Sequence, residues 1–172
     1  MKKEKKKKRA VTKESAIRSA IRRTFSRSPL VIEVMADARR KKPRYNKDGS
    51  LSVIPLVEYL CSECSIWVPS KMASVDHKEP VIDPQIGFVD WNTYIDRMYC
   101  PKENLRLLCL PCHQAKSNQE RFEKNFRLEL LELEKLKDDP QQLKKFLKRF
   151  TKKRLGKFPY PQDFLQKIGR TS

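Results

Sequence analysis

Two Cys-x-x-Cys pairs constrain the fold of this chain more than any other feature of its sequence. Cys61 and Cys64 form the first pair, Cys109 and Cys112 form the second, and 44 residues lie between Cys64 and Cys109. Four thiolates that meet in space make a tetrahedral site, which zinc favours because soft sulfur ligands match it and no redox chemistry intervenes. A site closed by four cysteines has no open coordination position. We therefore expect a structural zinc ion, with a redox dithiol or incidental thiols as the alternatives.

The composition leaves little material for a large hydrophobic core. The chain has 172 residues, of which 35% are charged and 38% are hydrophobic, so metal binding is expected to contribute to the free energy of folding. Cysteines arranged mostly in metal-binding pairs are typical of a reducing compartment, and the fifth one, Cys100, is predicted to be an ordinary buried thiol. The sequence shows neither an apolar run of roughly 18 residues nor a secretory signal. We expect a cytoplasmic protein without membrane association.

Charge is distributed unevenly along the chain, whose formal net charge is +18. Residues 1–47 contain 18 Lys/Arg and 4 Asp/Glu, residues 48–120 contain 6 and 10, and residues 121–172 contain 15 and 7. A mildly acidic centre between two basic flanks fits a protein that holds a cation with carboxylates and neutralises phosphates with lysine and arginine. The pattern favours nucleic acid as the partner. Acidic partners, a membrane surface and a simple gain in solubility are the alternatives.

Apolar periodicity and charge divide the chain into four predicted segments. In order, they are a disordered basic tail, a basic helical arm, a core around the cysteines and a helical extension, at residues 1–11, 12–47, 48–120 and 121–172. Because the core has the pattern of short strands and the flanking segments that of helices, the predicted fold class is α+β, with N- and C-terminal helices around a zinc-stapled centre. The apolar stripe of the extension serves either packing or homodimerisation.

Helix signals in the basic arm place two helices. Thr12 is predicted to cap the first helix, Ser28 to cap the second, and Pro29 to take the first position of the second. The run from Arg39 to Lys42 is predicted to close the second helix, because cations favour helix C-termini. The other predicted elements are strands at 51–60, 66–68 and 72–75, a helix at 91–99, helices from Pro111 and from Pro140, and a final turn at Phe164, Leu165 and Ile168.

Both histidines of the chain lie beside other residues suited to metal chemistry. Asp76 and His77 follow the predicted strand at 72–75, and His113 directly follows Cys112 at the start of a predicted helix. Adjacent side chains of a strand point to opposite faces, so Asp76 and His77 cannot act in the same direction. Asp76 and His113 can form part of the shell of a Mg²⁺-like ion, and a neutral imidazole is the usual general base near pH 7. A surface Asp-His pair without a catalytic role is the alternative.

Three motifs of the central segment closely resemble those of the HNH endonucleases, a family with the ββα-metal (His-Me finger) fold, in the subgroup with a four-cysteine zinc site. The motifs are Asp76-His77, Asn104-Leu105 and Cys109-Leu-Pro-Cys112-His113-x-x-Lys116. The resemblance covers about 56 residues and includes the nine-residue step from Asn104 to His113. It implies a metal-dependent enzyme that hydrolyses DNA by nicking or double-strand cleavage and leaves 5′-phosphate and 3′-hydroxyl ends. In its small size and basic character the chain resembles the free-standing phage enzymes of this family, including homing endonucleases, and a phage origin would place it in a host-cell cytoplasm.

The resemblance also implies a role for each matching residue. His77 would be the general base that activates water, and Asn104 would brace the loop that orients His77. Asp76 and His113 would bind the catalytic Mg²⁺ or another divalent ion. The zinc ligands would be Cys61, Cys64, Cys109 and Cys112. The 26 residues between His77 and Asn104 exceed the length found in compact members of the family, with the predicted helix at 91–99 as an insertion.

Basic residues near the motifs and in the arm are candidate contacts to DNA phosphates. They are Lys116, Arg18, Arg22, Arg23, Arg39 and Arg40. A solvated helix face is the alternative for each of the arginines. The expected partner is double-stranded DNA, bound by a monomer or a homodimer. Two other functions remain open, a noncatalytic zinc-ribbon protein that binds nucleic acid and a nuclease acting on RNA, although nothing in the sequence resembles an aromatic stacking surface for single-stranded bases.

Overall fold

The computed structural model describes residues 12–153, with side chains described as far as residue 148. The predicted tail at residues 1–11 and the predicted turn at Phe164, Leu165 and Ile168 lie outside the described residues. Helices and two small antiparallel sheets make up the described part of the chain, which confirms the α+β prediction. None of its helices combines the length and the hydropathy needed to span a bilayer.

Helices precede, interrupt and follow the strands. The elements are, in chain order, α1 (Lys13–Phe25), α2 (Pro29–Asp37), β1 (Arg39–Lys42), β2 (Leu56–Leu60), β3 (Trp67–Pro69), β4 (Ala73–His77), α3 (Trp91–Met98), β5 (Leu105–Cys109), α4 (Leu110–Leu136) and α5 (Pro140–Lys153). Short 3₁₀ turns at Ser70–Met72 and Lys102–Asn104 precede β4 and β5. Strands β1, β2 and β3 form one antiparallel sheet in that order, and β4 pairs with β5 in the other.

The chain forms two compact units. Of the described residues, the first unit contains those up to Asp83 together with Phe88–Ala115, and the second contains Pro84–Gly87 and those from Lys116 onward. Both sheets, α1 to α3 and the first residues of α4 lie in the first unit. This unit therefore carries every predicted zinc ligand and every predicted catalytic residue.

Both predicted N-caps of the basic arm begin helices. Thr12 Oγ1 accepts a hydrogen bond from Ser15 N at 3.2 Å, and Ser28 Oγ accepts one from Val31 N at 3.4 Å. Pro29 takes the first position of α2, where its missing N–H costs nothing because that position has no intrahelical acceptor. The capping predictions are confirmed.

The predicted end of the second helix is wrong. Helix α2 ends at Asp37, and Arg39 to Lys42 form strand β1 instead of the last helical turn. The strand pairs antiparallel with β2, with Arg39 opposite Tyr59. Four consecutive cations carry no alternation of apolar and polar residues, so the pairing with β2 decides their conformation and the local sequence does not reveal it.

The hydrophobic core of the first unit joins α1, α2, α3 and β5. Its buried members are Phe25, Val31, Val34, Val81, Tyr94, Met98, Cys100 and Leu105. Cys100 is buried, as predicted. Helices α1 and α2, predicted as an arm, thus supply three of the eight buried side chains of this core. They are part of the scaffold that supports β4 and β5.

The second unit is held together by α4 and α5. The predicted apolar stripe of α4 packs against buried Phe146 of α5; its members are Phe122, Phe126, Leu130, Leu133 and Leu136. Asp139 caps α5, and its Oδ1 accepts hydrogen bonds from the backbone N–H groups of Gln141 and Gln142. The bond from Gln142 is the largest of the effects that lower the pKa of Asp139. The predicted start of a helix at Pro140 is confirmed.

Candidate functional site

Four cysteines of the first unit converge on one point. Cys61 follows β2, Cys64 lies in the turn after it, Cys109 ends β5, and Cys112 lies in the first turn of α4. Their sulfur atoms all lie within 4.8 Å of one another, and the Sγ atoms of Cys64 and Cys109 are 3.8 Å apart. Four zinc–sulfur bonds of about 2.3 Å in a tetrahedron put neighbouring sulfurs about 3.8 Å apart. The cluster could therefore hold a metal ion and is compatible with zinc.

Backbone hydrogen bonds build the turn that carries the first cysteine pair. Ser65 N donates to Cys61 O at 2.9 Å, and Ser65 adopts a left-handed conformation with φ 56° that closes the turn. Ser62 N donates to Leu107 O at 2.9 Å. Because Leu107 lies two residues before Cys109 on β5, this last bond brings the two cysteine pairs together.

Two of the four thiols differ in proton affinity. Burial raises the pKa of the Cys61 thiol, but hydrogen bonds from the backbone of Cys64, Cys109 and Glu63 outweigh it and lower the pKa from 9.0 to about 6. A hydrogen bond with Cys109 is the largest of the effects that raise the pKa of Cys112 to about 12. A divalent cation at the centre would favour the thiolate form of the cysteines that bind it.

Asp76 and His113, predicted to bind a divalent ion, lie close together. Asp76 is the fourth residue of β4 and His113 the fourth residue of α4. Asp76 Oδ1 and His113 Nε2 are 3.8 Å apart. The side chain of Asp76 is 14% exposed and that of His113 is 38% exposed, so both can be reached by a ligand from solvent.

Arg106 is absent from the residues predicted from the sequence, yet it contacts the other oxygen of Asp76. The register of β4 and β5 sets Asp76 directly opposite Arg106, so the two side chains share one face. Arg106 Nε lies 3.9 Å from Asp76 Oδ2, an ion-pair contact too long for a hydrogen bond, and Arg106 Nη1 lies 2.7 Å from Glu63 Oε2. Arg106 therefore links the first cysteine turn to Asp76. Its one signal in the sequence is a single charge within the apolar strand Leu105–Cys109.

His77 follows Asp76 on β4 and lies among different neighbours. It pairs with Leu105 of the core, and its ring centroid is 4.9 Å from that of Phe25. His77 Nε2 is 3.0 Å from the carbonyl oxygen of Met98. Because a carbonyl only accepts hydrogen bonds, Nε2 is the donor of this contact, which in a neutral imidazole leaves the lone pair on Nδ1. Because Asp76 and His77 are consecutive residues of one strand, their side chains point to opposite faces of the sheet.

Asn104 holds the turn that follows His77. Lys78 N donates to Asn104 O at 2.7 Å, and Glu79 N donates to Asn104 Oδ1 at 3.0 Å. Lys102, two residues before Asn104, is anchored by carboxylates of α2, of which Asp37 Oδ2 lies at 2.7 Å. This contact is the largest of the effects that raise the pKa of Lys102. The turn before β5 is therefore fixed to α2 on one side and to the end of β4 on the other.

The arginines of α1, predicted to contact DNA, make different contacts. Arg22 Nε donates to the hydroxyl of Tyr94 at 3.2 Å, and the guanidinium carbon of Arg18 lies 5.5 Å from the centroid of the Phe88 ring. Both residues thus attach α1 to the region around α3. Arg23 is exposed. Contact with DNA remains a prediction for all three residues.

The other predicted DNA contacts lie on β1 and α4. Arg40 and Arg39 are neighbours on β1; Arg40 Nη2 binds Glu58 Oε2 at 2.7 Å, whereas Arg39 is exposed. Lys116, in the second unit, pairs with Glu120 one helical turn later, with Nζ and Oε1 3.2 Å apart. Contact with DNA remains a prediction for these three residues as well.

Comparison of the chain with models of known protein families, with curated protein sequences and with solved structures found no match.

Proposed function

We propose that this chain is a metal-dependent DNA endonuclease of the HNH type. The observation that carries the proposal is the 3.8 Å separation of Asp76 Oδ1 and His113 Nε2. Asp76 lies on β4, which pairs antiparallel with β5, and His113 lies on α4, which directly follows β5. Two ligand atoms at about 2.1 Å from one Mg²⁺-sized ion lie about 3.0 Å apart in adjacent positions and about 4.2 Å apart in opposite ones. The separation falls within this range, so the two side chains can share one ion with little movement.

A divalent ion held by Asp76 and His113 would stabilise negative charge on the scissile phosphate and on the leaving 3′ oxygen. The partial exposure of both side chains leaves room for phosphate oxygens and water to complete the ligand set. Another group of the protein must then accept the proton of the attacking water.

His77 is that group in the proposed mechanism. The bond between His77 Nε2 and the Met98 carbonyl leaves the lone pair on Nδ1, so Nδ1 can take a proton from the attacking water. The same carbonyl stabilises the positive charge that the ring then acquires, because it keeps accepting from Nε2. The two bonds to Asn104 hold the turn immediately after His77. The orientation of the base is thus supported from two directions.

The proposed zinc site has a structural part in this mechanism. Cys109 ends the strand that pairs with β4, and Cys112 immediately precedes His113 on α4. A zinc ion bound by both cysteine pairs would fix the junction of β5 and α4, and with it the position of His113 relative to Asp76. With four cysteines as ligands, the zinc ion would have no open coordination position for a substrate or water, and its role would be structural.

Replacing Arg106 with methionine is expected to raise the Mg²⁺ concentration needed for half-maximal cleavage by about 10- to 100-fold. Methionine keeps an unbranched stem but loses the charge beside Asp76 Oδ2 and the bond to Glu63. The Asp76 carboxylate would lose the neighbouring positive charge that favours its present orientation toward His113. The measurement is the cleavage rate of supercoiled plasmid as a function of Mg²⁺ concentration.

A matched control for this variant is Arg97→Met on α3, which removes an exposed arginine of the same unit. It should leave the Mg²⁺ dependence unchanged. Arg106→Lys should recover part of the loss, because one ammonium can reach only one of the two carboxylates. An Arg106→Met protein with the Mg²⁺ dependence of the unaltered protein would show that Arg106 does not position Asp76.

The proposal is tested by incubating supercoiled plasmid with zinc-loaded protein, with and without added Mg²⁺. Omitting Mg²⁺ is preferable to adding a strong chelator, because a chelator would also remove the zinc. Nicked or linear products that depend on Mg²⁺ would support the endonuclease. Mapping the ends should show 5′-phosphates and 3′-hydroxyls.

A noncatalytic zinc protein that binds nucleic acid is the second candidate. It is favoured by the modest donor set beside the cysteine cluster, where Asp76 and His113 are within ion-pair distance of each other and Arg106 offsets part of the Asp76 charge. Stable binding of DNA without Mg²⁺-dependent cleavage, by protein with a full complement of zinc, would establish this candidate and exclude the first.

A further inference from the structure

Residues 39–60 form a basic hairpin whose outer part has no third strand. Strand β1 pairs with β2 along Arg39–Lys42, and the ribbon continues to an isolated bridge between Tyr45 and Leu51. Strand β3 contacts only the last three residues of β2. Among the described residues, the ribbon beyond β3 is therefore two-stranded, and we call residues 39–60 the basic hairpin.

The turn of the basic hairpin is fixed by its own hydrogen bonds. Asn46 N donates to Ser50 O at 2.9 Å, Gly49 N donates to Asn46 O at 3.1 Å, and Gly49 has φ 83°. Asp48 Oδ1 accepts from Ser50 Oγ at 2.6 Å and from Ser50 N at 2.9 Å, and the first of these bonds is the largest effect lowering the pKa of Asp48. The acidic side chain of the turn is thus engaged locally. It does not neutralise the cations of the strands.

The cations of the basic hairpin differ in whether they are paired. Arg40 lies opposite Glu58 and Lys42 lies opposite Leu56, and both contact the Glu58 carboxylate, with nitrogen–oxygen distances of 2.7 and 3.3 Å. Arg40 also lies 3.9 Å from the centroid of the Trp67 ring. The remaining four cations of the hairpin are exposed and make no ion pair with a described residue; they are Arg39, Lys41, Arg44 and Lys47.

Exposed apolar side chains accompany these four cations. Val53 is 99% exposed, and four other apolar residues of the hairpin are between 41% and 69% exposed: Tyr45, Leu51, Ile54 and Leu56. Val53 and Ile54 lie where the ribbon loses its regular pairing, between the bridge at Leu51 and β2. Several exposed apolar side chains close together in the sequence indicate a surface that contacts a partner.

We propose that the basic hairpin docks in the major groove of double-stranded DNA. The groove is about 12 Å wide and admits a two-stranded β-ribbon. The four unpaired cations would contact phosphates, and the exposed apolar side chains would contact base edges, thymine methyl groups included. The identity of the ligand rests on the proposed function, but the inference concerns binding and not cleavage.

The layout of the charges favours duplex DNA over an anionic membrane surface. From Arg39 to Tyr45 the strand extends about 20 Å at about 3.3 Å per residue. Cations spread along this length match the linear array of phosphates that borders a groove. A hairpin whose apolar turn region entered a bilayer would instead hold Arg39 about two Debye lengths from the headgroups, where its attraction is largely screened.

The test compares two proteins that each lose four exposed cations. The hairpin variant is Arg39→Gln, Lys41→Gln, Arg44→Gln and Lys47→Gln. The control variant is Lys124→Gln, Lys135→Gln, Lys137→Gln and Lys144→Gln, all exposed residues of the second unit. Affinity for a duplex oligonucleotide is measured on zinc-loaded protein without added Mg²⁺, at salt concentrations from 50 to 200 mM.

Each phosphate contact contributes about 0.9 to the slope of log affinity against log salt. Loss of four contacts is therefore expected to reduce the slope by about 3.6, so that the ratio of affinities at 50 and 200 mM salt falls about 100-fold. Val53→Ser with Ile54→Ser should weaken binding several-fold without changing the slope. Equal slopes for the hairpin and control variants would overturn the proposal. So would binding to anionic phosphatidylserine vesicles that depends on the hairpin while duplex binding does not.

These outcomes separate the docking proposal from the proposed function. Duplex binding that depends on the hairpin, in a protein that gives no Mg²⁺-dependent nicking, would remove the endonuclease and leave the docking surface. Mg²⁺-dependent nicking by a protein whose hairpin variant binds DNA like the control variant would support the endonuclease and exclude the docking proposal. Unchanged zinc content and thermal unfolding of both variants establish that the substitutions act at the surface.

Discussion

Replacing His77 with alanine is expected to reduce the rate of DNA cleavage by about 100- to 10,000-fold, the usual contribution of a general base. The variant loses the nitrogen that carries the lone pair, but it keeps Asp76, His113 and all four cysteines. Zinc content and affinity for duplex DNA should therefore be nearly unchanged. The measurement is the single-turnover cleavage rate at saturating Mg²⁺, together with duplex binding in its absence.

His113→Ala is the informative companion to this variant. If His113 binds the divalent ion, its loss should raise the Mg²⁺ concentration needed for cleavage, and added Mg²⁺ should restore part of the rate. The His77→Ala defect should not respond to Mg²⁺, because a base and not a ligand has been removed. Cleavage by His77→Ala at the unaltered rate would exclude His77 as the base. Collapse of the fold in this variant would show that the His77–Met98 contact is structural.

Local sequence was sufficient to predict the candidate metal centre. A Cys-x-x-Cys pair has few ways to present two thiols, so the two pairs indicated a shared site, and the structure gathers all four sulfurs within 4.8 Å. The approach of Asp76 to His113 was predicted from a resemblance in sequence, and the register of β4 and β5 accounts for it physically. Strand β5 is short and mostly buried, so few alternative registers would bury the same residues.

Three other contacts between distant residues could not be predicted from the sequence. Met98 lies 21 residues after His77, and its part in holding the imidazole is played by a backbone carbonyl, a group that every residue possesses. Arg106 acquires its neighbours through strand pairing and through the turn at Glu63. Strand β1 exists because β2 pairs with it, whereas four adjacent cations favoured a helix end by charge alone. In each case the deciding interaction is nonlocal.

Replacing Cys109 with serine is expected to unfold the first unit. Zinc bound by cysteine sites in small peptides contributes about 10–16 kcal/mol, which is comparable to the whole free energy of unfolding of a typical domain, about 5–15 kcal/mol. Cys109 is 5% exposed and packs with Cys61 and Leu108 around the cluster, so a serine there would lose a ligand and bury a hydroxyl. The measurements are zinc content and thermal unfolding followed by circular dichroism.

Cys100→Ala provides the matched control, because Cys100 is also buried but belongs to the core formed by α1, α2, α3 and β5. Loss of its thiol leaves a small cavity, for which we expect a cost of about 1 kcal/mol and full zinc content. Cys109→Ser should instead lower the zinc content and broaden or abolish the unfolding transition. A Cys109→Ser protein that unfolds at the unaltered temperature would mean that the four sulfurs do not stabilise the fold through a metal. The junction of β5 and α4, and the position of His113 with it, would then depend on side-chain packing alone.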